Sequence, residues 1–187
     1  VTNDGIALAT EVWTRPVQEG DSRDLAAAYL RNREHLRPWE PLRPQWFYTA
    51  SGQANVIRRR TAEHERGAGS QWVIRTRERI IGSVSINNIV RGPLLSGSLG
   101  YWIDADFQGR GIITNAVEHM LWVARSSFGL HRVEAGTLPG NTASQRVLAK
   151  AGFTRFGLAE NYLLIQGAWQ DHVLFQKILH DDLPEVL

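Results

Sequence analysis

The sequence predicts a mixed α/β fold on three observations. Short segments with two-residue apolar alternation are interleaved with segments whose apolar residues recur every three or four positions. The strand-like segments come singly, then three together, then singly, then two together, with helical segments between them. The 187 residues contain no Gly/Ser linker, low-complexity block or repeat, so one domain spanning residues 1–187 is expected.

Leu8 to Thr14 reads as a first strand. Asp21 or Ser22 can cap a helix running through Leu25 and Tyr29 to about Asn32, and Pro38, Pro41 and Pro44 bar its continuation. Ser51 to about Arg66 reads as a second helix, stopped by Gly67 and Gly69. Gln71–Arg75, Ile80–Ile86 and Leu99–Asp104 form a three-strand run, with Thr76 to Arg79 as its first turn and a break at Gly92-Pro93. From Gly111 to about Phe128 the period changes: Ile113, Val117, Met120, Leu121, Ala124 and Phe128 lie on one helical stripe. Arg132 to Leu138 is a further strand. Asn141 is a good N-cap for a helix over Thr142–Ala151, and Gly152 stops it. Phe153–Ile165 and Trp169–Ile178 complete the series as two long strands joined near Gly167.

Composition removes several chemistries. With no cysteine there is no disulfide, thiolate zinc site, iron–sulfur cluster or cysteine nucleophile. The six histidines show no metal-ligand spacing with carboxylates, so no metal is expected; His119 and His172 are the two worth inspecting for proton transfer. No run of about 18 apolar residues is present, and Val1 to Asp4 open without a basic segment leading into an apolar one. The expectation is a soluble, cytoplasmic protein with no membrane contact. Net charge is only +2, too small for a general nucleic-acid binder, although arginine dominates the basic residues.

The most informative segment runs from Trp102 to Ala116. A strand ends, Gln108-Gly109-Arg110-Gly111 turns the chain, and an amphipathic helix begins at once. Two glycines can let several backbone N–H groups converge, and the first helical turn adds free N–H groups and its positive dipole end. Such a loop is either a tight strand-to-helix connection or an anion cradle to which Arg110 adds a charge. It is neither a Walker loop nor a dinucleotide fingerprint, because the Gly-Lys-Ser/Thr ending and the third glycine are missing.

Gln108-Gly109-Arg110-Gly111-Ile112-Ile113 resembles the pyrophosphate loop of the GNAT superfamily of acyl-CoA-dependent N-acyltransferases. Gly100-Tyr101-Trp102-Ile103-Asp104, Gly82 to Asn87, Asn141 to Ser144, Ala151-Gly152-Phe153 and Gly167 to Asp171 resemble its RimJ/RimL branch, nearest the RimL type, over about Leu8 to Ile178. The resemblance implies a central, mostly antiparallel sheet of six to seven strands, splayed between the fourth and fifth, flanked by about four helices. It implies acetyl-CoA as cosubstrate and an N-terminal α-amine of a protein or peptide as acceptor. Trp102 and Ile103 would meet the pantetheine arm along the strand, Gln108, Gly109, Arg110, Gly111, Ile112 and Ile113 would take the pyrophosphate, and Asn141 would bind pantetheine. Ser144 would protonate the departing thiolate. A homodimer would also agree with the family.

One piece departs from the pattern. The family's catalytic glutamate falls at Leu163, and the nearest acid, Glu160, lies three residues away. An odd offset on a strand reverses the face, so Glu160 serves as the base only if the segment bends or slips. The missing glutamate leaves two rival readings: a small amine acceptor or a succinyl donor on the same fold, and a non-catalytic acyl-CoA-binding module. Arginine placement bears on the acceptor, because residues 31–66 carry eight arginines against four acids. If Arg58, Arg59 and Arg60 face the acceptor side, they would steer an acidic protein substrate. Trp39 and Trp46, in the proline-rich segment, are candidates for lining the acceptor cleft.

Overall fold

The computed structural model describes residues 5–182; Val1 to Asp4 and their reading as a plain N-terminus lie outside the described residues. One eight-stranded sheet runs through it in the order β1-β2-β3-β4-β5-β6-β8-β7. The strands are β1 (Ile6–Ala9), β2 (Val12–Pro16), β3 (Ser70–Arg75), β4 (Ile80–Val90), β5 (Ser96–Ile103), β6 (Arg132–Thr137), β7 (Thr154–Ile165) and β8 (Ala168–Ile178). Five helices pack around it: α1 (Ser22–Arg31), α2 (Arg33–Leu36), α3 (Ala50–Glu65), α4 (Ile112–Ser126) and α5 (Thr142–Lys150). All strand pairs are antiparallel except β5 with β6.

The expected first strand is two strands. The chain reverses at Thr10-Glu11, where Glu11 adopts φ 58°, and Ala9 pairs with Val12. No Asn-Gly or Asp-Gly marks this turn, so nothing in the local sequence signals the hairpin. β4 runs past its expected end to Val90, and β5 starts ahead of its expected start, at Ser96. Asn88, at φ 51°, bulges β4 so that pairing resumes at Val90 with Ser96. The extra strand and the one-turn helix α2 account for eight strands and five helices where six to seven and about four were expected.

Each face of the sheet carries its own core. On one, α4 and α5 cover Ile74, Ile86, Val133 and Phe175 with Met120, Ala124 and Leu148. On the other, α1 and α3 cover Val73, Ile80 and Trp102 with Leu25, Tyr29 and Ile57. Alternation along β5 divides its side chains: Leu99, Tyr101 and Ile103 join the α4–α5 face, and Trp102 joins the α1–α3 face.

The parallel pair β5 and β6 makes the site. Their register runs only from Ser96 with Arg132 to Ser98 with Glu134. Beyond it β5 continues against β4 and β6 against β8, so the two strands diverge. The sheet is therefore splayed where the sequence placed the gap between its fourth and fifth strands. Half of the main-chain groups of Leu99 to Ile103 point into this opening with no strand partner. An ion pair anchors the mouth of the splay: Asp104, whose side chain is 2% exposed, accepts from Arg31 Nε at 2.8 Å and lies 2.7 Å from Arg31 Nη2. Burial alone would raise the Asp104 pKa, but hydrogen bonds from Arg31, Asn32 and the Asp106 N–H hold it below the usual carboxylate range.

Candidate active site

A cleft of about 570 Å³ occupies the splay, lined by β5 from Leu99 to Ile103, the loop and helix start from Phe107 to Thr114, β6 from Ala135 to Leu138, and α5. Gly109 and Gly111 have φ of 72° and 76°, the left-handed region that favours glycine, and open space lies where a Cβ would stand on either. The N–H of Asn115 bonds the Gly111 carbonyl. That is the first intrahelical bond of α4, so the N–H groups of Ile112, Ile113 and Thr114 have no acceptor within the helix. The cradle therefore fits a pyrophosphate: free donors, a positive helix end and room for an anion. Arg110 is folded back, Nη2 donating to the Asp106 carbonyl at 2.7 Å and the guanidinium lying 4.8 Å from the Phe107 ring centroid. Gln108 Nε2 meets His35 Nε2 at 3.3 Å, tying the loop to α2.

Opposite the loop, α5 begins at Asn141, whose Oδ1 accepts the Ser144 N–H at 3.1 Å. Asn141 is thus an N-cap in fact, and it also lines the cleft, so its side-chain amide is available there as well. Ser144 turns its hydroxyl toward β5, where Oγ lies 2.7 Å from the Tyr101 hydroxyl; that hydroxyl also donates to the Ser144 carbonyl at 3.2 Å. Burial raises Tyr101 to about 12, partly offset by the Ser144 hydrogen bond, so Tyr101 stays protonated at any ordinary pH. In the sequence Tyr101 stands out only as part of the strand Leu99–Asp104. What singles it out is its neighbour across the cleft, and that pairing exists only once β5 and α5 are assembled.

Trp102 and Ile103 line the cleft through the strand, but the Trp102 indole points to the other face and donates from Nε1 to Tyr29 OH at 2.9 Å. All the residues expected to hold the cosubstrate therefore converge, together with Ser144. Glu160 does not. It is exposed on β7 and lines neither this cleft nor the cavity beside it. The slip that its role required is present, since pairing jumps from Ala159 with His172 to Leu163 with Gln170. Three residues thus oppose Asp171, with Asn161 at φ 49° and its N–H bonded to Asp171 Oδ1 at 2.9 Å. The residue that this bulge brings against His172 is Tyr162, at 5.5 Å between ring centroids, and Leu163 is itself exposed.

His172 is 4% exposed and lines the cleft from β8. His119 is elsewhere: on α4 it packs against Trp122 and against Trp72 of β3, and burial lowers its pKa. Trp39 lines the cleft, whereas Trp46 is absent from the lining of both cavities. The second cavity, about 330 Å³, shares Leu36 and Glu40 with the cleft and is rimmed by Arg33, Arg37 and Arg43. Burial pushes the Glu40 carboxyl up, with the neighbouring Arg43 opposing. Glu40 had no sequence signal beyond its place after Trp39. Arg58, Arg59 and Arg60 are engaged on α3 itself: Arg58 with Asn55, Arg59 with Glu63, and Arg60 with Glu63 and with Asn87 of β4. Asn87 pairs with Ser98, at the end of β5 away from the cleft mouth; the cleft lining carries Arg110, Arg146 and Lys150, and the cavity beside it carries Arg33, Arg37 and Arg43 against Glu34 and Glu40. Among the described residues no cluster of three His, Cys, Asp or Glu is placed to hold a metal, and no helix is long and apolar enough to cross a membrane.

The family model for the acetyltransferase (GNAT) domain matches residues 12–154. The [ribosomal protein uS5]-alanine N-acetyltransferase of Escherichia coli (strain K12) is 34% identical over 172 residues, 90% of this chain and 89% of that protein. The ribosomal-protein-serine acetyltransferase of the same organism is 26% identical over 178 residues, 93% and 96% of the two chains, so identity within the RimJ/RimL branch is higher toward the alanine enzyme. Among solved structures, the ribosomal-protein-S5-alanine acetyltransferase from Vibrio fischeri superposes with a TM-score of 0.89 at 36% identity, covering 93% of this chain and 96% of that one. Mycobacterium smegmatis RimJ, solved in complex with CoA-disulfide, gives a TM-score of 0.85 at 33% identity, covering 89% and 81%.

Proposed function

This chain belongs to the GNAT acetyltransferase family, and from that premise we propose that it transfers the acetyl group of acetyl-CoA to the N-terminal α-amine of a ribosomal protein or similar peptide in the cytoplasm. The chain works as one domain, and transfer is direct, within a ternary complex. The carrying observation is the Ser144–Tyr101 hydroxyl pair, 2.7 Å apart, in the same cleft as the glycine cradle. Pantetheine lies in the splay along Leu99 to Ile103, against Asn141, and the pyrophosphate rests on Gln108 to Ile113. The amine attacks the thioester carbon, a main-chain N–H of β5 meets the developing oxyanion, and Ser144 Oγ gives its proton to the thiolate as the C–S bond breaks. The Tyr101 hydroxyl then restores the Ser144 proton by relay from water.

The acceptor follows from the acidity of amines. Deprotonating a lysine near neutrality costs about 3.5 kcal/mol more than deprotonating an α-amine, because their reference pKa values differ by about 2.6. Arg33, Arg37 and Arg43 outnumber Glu34 and Glu40 around the neighbouring cavity, and with Arg110, Arg146 and Lys150 in the cleft lining this excess of positive charge favours a peptide with carboxylates behind its N-terminus over a cationic small amine. The test is thiol release from acetyl-CoA and succinyl-CoA with an amine panel at neutral pH: alanine- and serine-initiated peptides, Nα-acetyl-lysine and a small polyamine. The expected order is N-terminal peptide far above lysine, with acetyl-CoA as donor. Equal rates on lysine and peptide, or no thiol release at all, would overturn the assignment.

A further inference from the structure

The geometry points to His172 as the general base that takes the acceptor's proton, in place of the absent glutamate; the inference rests on the transferase reading above. His172 Nδ1 lies 3.0 Å from the carbonyl oxygen of Gln170, on its own strand. A carbonyl only accepts, so in the neutral ring Nδ1 carries the proton and Nε2 holds a lone pair. No protein group among the described residues hydrogen-bonds Nε2, and the ring lines the cleft while being 4% exposed. Gly136 of β6 lies beside the ring, its Cβ position 3.5 Å from His172 Cδ2.

Placement supports the assignment independently. Val173 and Phe175 join the α4–α5 core, so alternation puts His172 on the opposite face of β8. Tyr101 and Ser144 lie on the α4–α5 side of the same cleft. Proton donor and proton acceptor therefore flank the splay from its two faces, as a reaction requires in which the amine arrives from one side of the thioester and the thiolate departs on the other. Tyr162 on β7 packs against the His172 ring, and the other titratable groups lining the same cleft are His35, Glu40, Tyr101, Arg110, Arg146 and Lys150. β6 lines the cleft with Ala135, Gly136 and Thr137, none of them titratable.

The step balances. The amine lone pair forms the C–N bond, its N–H proton passes to His172 Nε2, and the C–S electron pair leaves as thiolate and takes the Ser144 proton. The imidazolium then loses its proton to water.

The experiment compares the wild-type enzyme with His172→Gln on two acceptors, an alanine-initiated hexapeptide and its N-terminal hydrazide analogue. The tetrahedral adduct of the hydrazide is acidic enough to lose its proton to water unaided. The expected result is a fall in kcat of about 100-fold on the peptide and below about 10-fold on the hydrazide. Affinity for acetyl-CoA should stay at the wild-type value, which certifies the fold; should His172→Gln lose it, His172→Asn is measured in its place. Equal losses on the two acceptors, or a kcat on the peptide within about threefold of wild type, would overturn the proposal. So would an acceptor-dependent loss found in Glu40→Gln and not in His172→Gln. Thiol release by the wild-type enzyme in the same assay separates this outcome from a failure of the transferase reading.

Discussion

Replacing Ser144 with alanine separates chemistry from stability. The Tyr101 hydroxyl has two contacts on Ser144, Oγ at 2.7 Å and the carbonyl at 3.2 Å. Truncation removes the first and leaves the second, so no buried hydroxyl is orphaned, and the Asn141 cap survives because it receives the Ser144 backbone N–H. The stability loss is limited to one net hydrogen bond, about 0.5–1.5 kcal/mol. Turnover loses the donor to the thiolate. General acids contribute about 10²–10⁴-fold; Tyr101, kept protonated by its pKa of about 12, remains close and can supply a proton through water. The expected loss in kcat therefore sits at the low end, about 100-fold, or about 2.7 kcal/mol. The assay is steady-state thiol release over a range of acetyl-CoA concentrations, with KM for acetyl-CoA unchanged within about twofold, since Asn141 and the cradle are intact. Tyr101→Phe should also lower kcat, and the double variant should fall below Ser144→Ala alone, because it also removes the hydroxyl that still supplies a proton through water in the single variant. A kcat for Ser144→Ala within threefold of wild type, or a double variant no slower than Ser144→Ala, would refute the reasoning.

Two further predictions concern stability. Arg31→Met leaves Asp104 buried, with Arg79 Nη2 at 4.0 Å as its nearest remaining cation; urea denaturation should show a loss of about 3–5 kcal/mol, and adding Asp104→Asn should recover more than half of it, whereas simple additivity would count against a coupled pair. Asp104 sets the acid sign as well: its folded pKa is depressed, so its contribution is complete above the unfolded value and is lost as pH falls through the folded one, a loss that Arg31→Met should diminish. His119 Nε2 is buried without a protein partner and burial lowers its pKa, so the unfolded chain binds that proton more readily and stability falls as pH drops below the ordinary histidine value. His119→Phe should flatten the decline in Tm between about pH 7 and pH 5; an unaltered slope would place the acid sensitivity elsewhere.

What could be read along the chain is what local spacing controls. The stripe Ile113, Val117, Met120, Leu121 and Ala124 is α4, because helical neighbours are fixed by counting and all five pack on the sheet. Ser144 came with the resemblance, and its place three and four residues ahead of Val147 and Leu148 sets it on the same face of α5. The glycine cradle was legible because the left-handed turns at Gly109 and Gly111 restrict residue type directly. The hairpin at Thr10-Glu11 was not, since its left-handed residue is a glutamate and the turn persists through the pairing of β1 with β2 and of β2 with β3.

The base was harder to read than the acid for a related reason. On a helix a residue's direction is set by its own position, but on a strand it depends on the pairing around it. β7 carries two extra residues in the bulge from Glu160 to Tyr162, just beyond Leu163 when counting back from Gly167, and neither acid nor leucine stands in the cleft. β8 pairs with β6 in unbroken register from Arg132 with Ile178 to Thr137 with Val173. A base on β8 is therefore held by a regular ladder beside the splay, whereas a base on β7 would depend on an edge strand with two irregularities in its pairing. Holding a proton acceptor to within a fraction of an ångström of an attacking nitrogen favours the regular strand. The same argument explains why the bulge is tolerated: with proton transfer seated on β8, β7 is free to kink, and its kink lays Tyr162 against the His172 ring.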